Sequence, residues 1–330
     1  MRDETDGLVA PQRVDAGPAA EPDPAALAEV EVRFPPGSYY SPQPDTRELA
    51  GPRAAAVWPP APRETPGVDW NDAGQVALCR ELARQQRLEF AHEPAGDRHE
   101  FCTSNDHNGM FKALDAWILE AILRQFEPAR VVEVGAGFSS LVTARVKREL
   151  LPGMRFEAVE PHPREFLRDL PGLDELVELP VQEVPLERFA SLAAGEVLFV
   201  DTSHVVKTGG DVPWIYGQLL PRLAPGVVVH LHDVFLPHDY PREWALEGWG
   251  WNEQYLVQAF LAFNPAFEVL FSAEWMLLHH EDLVLEAFPG WASYRDERPT
   301  RAIAPGPGEG PGPSWWNSSG SLWLRRSSAP

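Results

Sequence analysis

The stretch Val131–Ser140, V-V-E-V-G-A-G-F-S-S, carries most of the information about the fold of this chain. A short apolar run ends in an acid and two glycines, and the chain then continues into residues that favour a helix. Glycine permits a tight turn and lets backbone N–H groups approach a ligand closely. The stretch therefore predicts a strand, a ligand-facing turn and a helix, in that order.

Short apolar runs alternate with amphipathic stretches from about residue 110 onward. The apolar runs predict strands over residues 130–134, 155–159, 177–181, 196–200, 226–232 and 267–272. The other stretches predict helices over residues 111–126, 139–150, 163–170, 186–193, 212–223 and 251–263. This alternation indicates an α/β fold with a parallel, doubly wound sheet and right-handed crossovers. Ligands bind such sheets beyond the carboxyl ends of the strands.

Proline content divides the chain before this alternating region. Residues 1–66 hold thirteen of the 34 prolines, a density that rules out long helices and central strands there. We predict an irregular or disordered N-terminal arm over residues 1–66, a helical cap segment over 67–110 and the ligand-binding α/β domain over 111–330. A helix over 68–86 is predicted to begin the ordered part.

Charge and composition exclude several classes of partner. The formal net charge is −21, whereas nucleic-acid binding needs a basic surface. No run approaches the 18 apolar residues of a membrane span. Cys79 and Cys102 form no disulfide framework and the first residues contain no apolar signal segment, so we predict a cytoplasmic location. The oligomeric state stays open, and a homo-oligomer is compatible with the sequence.

An acid closes the second predicted strand, in Val159-Glu160-Pro161. It follows the glycine turn by about 25 residues, where a carboxylate can accept hydrogen bonds from both ribose hydroxyls of an adenosine. Dinucleotide-binding proteins use the same device, but their G-x-G-x-x-G fingerprint would need a third glycine where this chain has Ser140. The sequence therefore favours S-adenosylmethionine (SAM), which has no pyrophosphate. A helix cap or a surface acid is the alternative role for Glu160.

Polar residues also close the fourth and fifth predicted strands. V-D-T-S-H spans residues 200–204 and V-H-L-H-D spans 229–233. Central parallel strands are normally apolar throughout, and exceptions of this kind are often functional. His230 and His232 point to the same face because side chains alternate along a strand. A structural role for His230 stays open.

These segments resemble class I SAM-dependent methyltransferases, and the glycine turn is similar to their first motif. Several stretches resemble a bacterial group of these enzymes whose substrate is unassigned: D-T-S-H-V-V-K-T-G-G-D-V, P-G-V-V-V-H-L-H-D-V-F-L-P-H-D-Y-P, W-N-E-Q-Y-L-V-Q-A-F-L and the closing S-L-W-L-R. The resemblance covers about residues 100–326. It implies a Rossmann-like sheet of seven strands whose last strand, over 319–325, is antiparallel.

The resemblance also implies a set of SAM-binding residues. Glu160 would bind the ribose and Gln182 the edge of the adenine. Glu133 would organise the glycine loop and reach the methionine end of SAM. The full set implied for the cofactor is Glu133, Gly135, Gly137, Ser139, Glu160, Gln182 and Asp201.

The strand-end cluster resembles the metal-dependent catechol-type and macrolide-sugar O-methyltransferases. This resemblance implies Asp201, His232 and Asp233 as metal ligands, with His230 a weaker candidate. Those enzymes have Asp-Asp or Asp-Asn where this chain has His-Asp, and imidazole suits transition ions better than Mg²⁺. We therefore consider Fe, Mn, Zn or Mg, or no metal. His204 stands where the catechol-type enzymes have a lysine base, so it is predicted to be a general base working with Asp201.

The sequence thus predicts an enzyme that transfers a methyl group from SAM to a hydroxyl group of a small molecule. A natural-product intermediate is one such acceptor. The alternative is a metal-dependent oxidase, hydroxylase or hydrolase on the same scaffold, because two histidines and a carboxylate can hold non-haem iron. A third hypothesis is a non-catalytic protein that recruits a partner through its N-terminal arm.

Overall fold

The structure is a computed structural model that describes residues 33–84, 88–94, 96–104, 107–108, 110–291 and 319–328. The chain forms two compact units, Met1–Asp45 and Thr46–Pro330. In the first unit, the described residues form turns such as the one closed by the Gly37 N–H and the Gln43 carbonyl. Residues 1–32 of the predicted arm lie outside the described residues, and residues 46–66 belong to the second unit.

Seven strands of the second unit form a single sheet. Their bounds are β1 Arg130–Val134, β2 Arg155–Val159, β3 Glu175–Val177, β4 Val197–Val200, β5 Val228–Leu231, β6 Phe267–Ser272 and β7 Leu322–Arg326. The strand order is β3-β2-β1-β4-β5-β7-β6. Strands β1 to β5 pair in parallel, while β7 is antiparallel to both β5 and β6. The predicted doubly wound α/β sheet of seven strands with an antiparallel last strand is confirmed.

Helices connect and cover these strands. The α-helices of the described residues are α1 Thr46–Ala50, α2 Ala54–Val57, α3 Asp72–Leu82, α4 Ala113–Phe126, α5 Phe138–Glu149, α6 Glu187–Ala190, α7 Asp211–Trp214, α8 Arg242–Glu247, α9 Glu253–Leu261 and α10 Ala273–Ala287. None of them combines the length and the apolar character that a bilayer crossing requires.

Two connections differ from the predicted continuous helices. The segment predicted as a helix over 163–170 is a 3₁₀ helix, Glu165–Asp169. The helix predicted over 212–223 is divided into α7, a π-helical turn Ile215–Leu219 and a 3₁₀ turn Leu220–Arg222. Pro221 lies in the last turn, and proline has no N–H to continue an α-helical hydrogen-bond ladder.

Apolar residues on the two faces of the sheet form separate cores. Val131, Phe156 and Phe199 point into one core together with α4, α5 and α10. Their strand neighbours Val132 and Leu198 point into the other core. Because both faces are covered, ligands can reach the central strands only at their ends. The carboxyl ends of β1, β2, β4 and β5 lie along one edge of the sheet, and the predicted site residues follow those ends.

Candidate functional site

The turn after β1 is shaped by two glycines with different surroundings. Gly135 has a φ of +85°, and a Cβ on it would lie 1.6 Å from the carbonyl oxygen of Asp201. Its N–H donates to the Val159 carbonyl at 2.9 Å. Gly135 is therefore needed where the ends of three strands pack together. A Cβ on Gly137 would meet no atom within 4 Å, so the backbone that a ligand could approach is at Gly137.

The buried side chain of Glu133 stabilises this turn through hydrogen bonds. Its carboxyl group is buried and accepts hydrogen bonds from the Ser139 hydroxyl and, at 2.9 Å, from the Ser140 hydroxyl. The Ser140 oxygen also accepts the Gly137 N–H at 3.1 Å. Burial raises the pKa of Glu133 to about 8, against the effect of the two serines. Glu133 therefore organises the loop, and the Ser139 hydroxyl is directed to it.

Glu160 lies beside the same turn. Its carboxylate accepts the backbone N–H of His162 at 2.8 Å and also that of Ala136. Burial raises the pKa of Glu160 above its ordinary value. Gln182 lies in the 3₁₀ turn Val181–Glu183 and donates from Nε2 to the Gly209 carbonyl at 3.0 Å. Two polar side chains therefore follow β2 and β3 at the edge of the sheet that carries the glycine turn.

Three side chains of types that can bind a metal ion converge beyond β4 and β5. His204 Nε2 lies 3.1 Å from Asp201 Oδ1 and 3.5 Å from Asp233 Oδ2. The donor atoms of the three residues lie within 4.8 Å of one another, and they are the group of this kind found among the described residues. His204 and Asp233 have φ values of +55° and +54°. Such left-handed conformations of non-glycine residues carry strain and cluster at functional sites.

The other side of the His204 ring faces a third carboxylate, that of Glu253. Nδ1 lies 2.9 Å from Glu253 Oε2, and the Tyr216 hydroxyl donates to Glu253 Oε1 at 3.0 Å. Burial by itself would lower the pKa of His204, but Asp201, Glu253 and Asp233 outweigh it and raise that pKa to about 10. A protonated imidazole has no lone pair. The raised pKa favours the protonated ring of His204 in this cluster, and its role as a general base stays a prediction.

Asp201 stays ionised within this cluster. Burial opposes its charge, but His232 and His204 hold the pKa of Asp201 below its ordinary value. Asp201 therefore contributes a carboxylate to the cluster.

His232 lies next to the three converging side chains. Its Nδ1 is 3.5 Å from Asp201 Oδ2 and 3.4 Å from Asp233 Oδ2, and its Nε2 is 3.5 Å from Asp115 Oδ2. Burial disfavours a charge on His232, but Asp233 and Asp201 raise its pKa well above the ordinary value. His232 thus touches two carboxylates of the converging group without belonging to it.

His230 has structural contacts. Its ring stacks on Phe199 with centroids 3.9 Å apart, and its Nε2 lies 3.3 Å from the Ser321 hydroxyl of the segment that enters β7. Burial and the neighbouring His232 hold the pKa of His230 well below its ordinary value. These contacts fit the structural role that the sequence left open.

Sequence reasoning gave no specific role to three residues that contact the site. Glu253 begins α9. Tyr216 lies in the π-helical turn. Asp115 is a fully buried acid on α4 that accepts hydrogen bonds from the Ser319 and Ser321 hydroxyls. The available signal for Asp115 was an acid in the first turn of a largely apolar helix.

The fold and the site define the class of protein. A glycine turn after β1, an acid after β2 and a polar cluster beyond β4 and β5 lie along one edge of a Rossmann-like sheet. A family model described as "Methyltransferase domain" matches residues 132–234, from β1 to just beyond β5. The chain belongs to the class I SAM-dependent methyltransferases.

One curated relative and several solved structures are similar to the chain. An uncharacterised protein of Archaeoglobus fulgidus is 31% identical over 170 residues, which cover 50% of this chain and 76% of the relative. The SAH-bound Podospora anserina methyltransferase PaMTH1 is 19% identical, with a TM-score of 0.36 and coverage of 60% of this chain and 82% of that one.

The methyltransferase MycE from the mycinamycin biosynthetic pathway, in complex with Mg and SAH, is 14% identical. Its TM-score is 0.29, and the match covers 62% of this chain and 48% of that one.

Proposed function

We propose that this methyltransferase transfers the methyl group of SAM to a hydroxyl of a small-molecule acceptor held over the ends of β4 and β5. The observation that carries the proposal is the convergence of Asp201, His204 and Asp233 at the edge of the sheet where Glu160 and Gly137 also lie. Methyl transfer needs the donor and the acceptor aligned at one place, and such alignment can contribute roughly 7–11 kcal/mol to the rate.

Three features support SAM as the cofactor. The backbone at Gly137 faces open space, the Glu160 carboxylate lies at the adjacent Ala136 N–H, and Glu133 holds the loop. When bound, SAM supplies the electrophilic methyl group. Glu160 would accept hydrogen bonds from the ribose, and the backbone at Gly137 would face the methionine part. Gln182 has an amide near the Gly209 carbonyl and is proposed to contact the adenine.

The converging side chains also fit a divalent cation, held by Asp201, His204 and Asp233. One imidazole and two carboxylates suit Mn²⁺, Fe²⁺ or Zn²⁺ better than an all-oxygen site would. A bound cation of this kind lowers the pKa of a coordinated hydroxyl. In this proposal His204 is a ligand, and His232 holds Asp201 and Asp233 in place from one side. His204 would lose its Nε2 proton on binding the cation.

The donor set favours methyl transfer over the alternative of iron-dependent oxidation. Non-haem iron oxygenases use two histidines and one carboxylate on one face of the metal. The converging set among the described residues has one histidine and two carboxylates. We therefore retain the oxidase or hydroxylase only as an outcome of the test.

The wider setting is also part of the proposal. The net charge of −21 disfavours a nucleic-acid substrate, which supports a small-molecule acceptor such as a natural-product intermediate. The two cysteines are free and buried, which supports a reducing, cytoplasmic location.

Calorimetric titration of the full chain with SAM, and in parallel with NAD, tests the cofactor. We expect SAM to bind and NAD not to bind; the reverse result would overturn the proposal. Release of S-adenosylhomocysteine from SAM in the presence of a panel of hydroxylated small molecules then tests the transfer. Iron in equimolar amount without SAM binding would instead favour the oxidase.

Metal analysis before and after chelation tests the cation. Asp233→Asn is the variant of choice because asparagine tolerates a left-handed backbone and has nearly the same shape. Asp169→Asn is the matched control, since Asp169 is half exposed and pairs with Arg98 on the surface. We expect Asp233→Asn to lose the metal and Asp169→Asn to keep it. Equal metal content in the two variants would remove the cation from the proposal.

A further inference from the structure

We infer that Glu253, supported by Tyr216, is a positioning residue that fixes the His204 ring with its Nδ1 proton on Glu253 and its Nε2 toward Asp201 and Asp233. The inference rests on the proposed function, because the purpose of the orientation is to present Nε2 to the reaction edge. It concerns a contact between the loop after β4 and the start of α9, which are separated by 49 residues along the chain.

The backbone of His204 is tied to the start of α9. The His204 carbonyl accepts the N–H groups of Asn252 at 3.0 Å and Glu253 at 3.1 Å. The Asn252 side-chain oxygen accepts the Val206 N–H at 2.6 Å. His204 has a left-handed φ of +55°, which an L-residue adopts only where its surroundings hold it there. The start of α9 supplies those surroundings.

The side chains make the orientation specific. Glu253 is 2% exposed, so water does not compete for its carboxylate. Tyr216 donates to Oε1 at 3.0 Å, which leaves Oε2, 2.9 Å from Nδ1, as an acceptor. Because an ionised carboxylate can only accept, Nδ1 must carry a proton. Nε2 is then the nitrogen that meets Asp201 and Asp233. The ring centroids of Trp251 and His204 lie 4.3 Å apart, and this contact limits rotation of the imidazole.

A simple capping role does not account for Glu253. An acid in the first turn of a helix often interacts with the helix dipole. The oxygens of Glu253 instead contact side chains from two other elements, His204 after β4 and Tyr216 in the π-helical turn. π-Helical turns recur at functional sites. In metal sites, a carboxylate behind a histidine sets its tautomer and orientation, and its loss typically weakens metal affinity about 10–100-fold.

The first test uses Co²⁺ as the probe on the full chain. Glu253→Gln keeps the size of the side chain and removes the charged acceptor. Glu187→Gln is the matched control, since Glu187 is an exposed acid in the first turn of α6. We expect Glu253→Gln to weaken Co²⁺ affinity about 10–100-fold and to shift the visible absorption of the bound ion, while Glu187→Gln changes neither. Equal Co²⁺ affinities for the two variants would overturn the inference.

The second test needs no metal. In ¹⁵N-labelled metal-free protein, the His204 Nδ1 proton, assigned by its loss in His204→Gln, should give a strongly downfield signal. We expect that signal to disappear in Glu253→Gln and to remain, shifted, in Tyr216→Phe. A signal unchanged in Glu253→Gln would contradict the inference. If wild type binds SAM but no Co²⁺, the cation in the proposed function fails, while this signal still decides the positioning role.

Tyr216→Phe covers the case in which Glu253→Gln does not fold. It removes one hydrogen bond to Glu253 and leaves the ring that packs in the core. Tyr255→Phe is its control, because the exposed Tyr255 hydroxyl bonds Asp239 instead. We expect a severalfold loss of Co²⁺ affinity and a shifted Nδ1 proton in Tyr216→Phe alone. Identical behaviour of the two phenylalanine variants would overturn the role of Tyr216.

Discussion

Gly135 lies so close to Asp201 that a Cβ atom on the glycine would be 1.6 Å from the carbonyl oxygen of the aspartate. This contact joins the end of β1 to the end of β4. It places the first residue of the proposed cofactor turn directly against the first residue of the proposed metal group. The two halves of the site, one for the cofactor and one for the acceptor, therefore share a backbone contact.

A pair of alanine substitutions should separate the packing role of one glycine from the ligand-facing role of the other. Gly135→Ala combines a left-handed φ of +85° with a backbone clash, so we expect a lower melting temperature by at least several degrees or failure to fold. Gly137→Ala meets no atom within 4 Å, so we expect a nearly unchanged melting temperature and weaker SAM binding. Thermal unfolding and calorimetry measure the two effects. Unchanged SAM affinity in Gly137→Ala would remove that residue from the cofactor site.

Glu160→Gln should weaken SAM binding and leave folding intact. Hydrogen bonds to a charged group contribute about 1.5–3 kcal/mol, so we expect roughly a 10- to 150-fold increase in the Kd for SAM. Glu165→Gln is the control, since Glu165 is 90% exposed and pairs with Arg98 on the surface. Comparable Kd values for the two variants would mean that Glu160 is a structural acid.

Local patterns specify most strands of the sheet, but the third is displaced: the sequence predicts residues 177–181, whereas β3 is Glu175–Val177 and a 3₁₀ turn begins at Val181. The bounds of β1, β2 and β6 coincide with the apolar runs predicted for them. The late strand β7 is antiparallel, as expected from the resemblance, and it lies between β5 and β6. Glu133 and Glu160 also lie at the turn, because strand ends in one sheet meet at one edge.

The partners of the histidines could not be predicted in the same way. Glu253 and Asp115 reach His204 and His232 from helices far away in the chain, and no local pattern encodes which helix face meets which strand end. The predicted base role of His204 depended on an unperturbed imidazole. Its pKa is instead set by three carboxylates that only the tertiary fold brings together. Helix α10 was missed because its apolar residues continue directly from β6 without a turn signal.

Glu133 should make the stability of the protein fall as the pH rises. Its pKa is about 8 in the fold and 4.5 ordinarily, so the fold favours the protonated acid. That contribution is fully present below pH 4.5 and is lost as the pH rises through about 8, to a total of about 5 kcal/mol. Denaturant unfolding at pH 5 and pH 9 should show a smaller decrease for Glu133→Gln than for wild type. Parallel decreases would contradict the buried, protonated state; Glu183→Gln, at an exposed acid, serves as the control.

Glu157, in the middle of β2, should have the opposite pH dependence. Although burial opposes its charge, Arg130 and Arg155 lower its pKa from 4.5 to about 2, and Arg188 Nη1 lies 2.7 Å from its Oε2. The stabilisation is fully present above pH 4.5 and is lost as the pH falls through about 2. The shift corresponds to about 3 kcal/mol.

Glu157→Gln should therefore lower the free energy of unfolding by about 3 kcal/mol at pH 6 and by almost nothing near pH 2, where the wild-type carboxylate is itself becoming protonated. Glu149→Gln provides the comparison, because Glu149 is 46% exposed and pairs with Arg145 one helical turn away. Such surface pairs contribute about 0–1 kcal/mol, so this variant should follow wild type throughout. Urea titrations at pH 6, 4 and 2.5 would measure the difference. A Glu157→Gln deficit that stays constant across these pH values would show that the loss comes from packing rather than from the ion pairs.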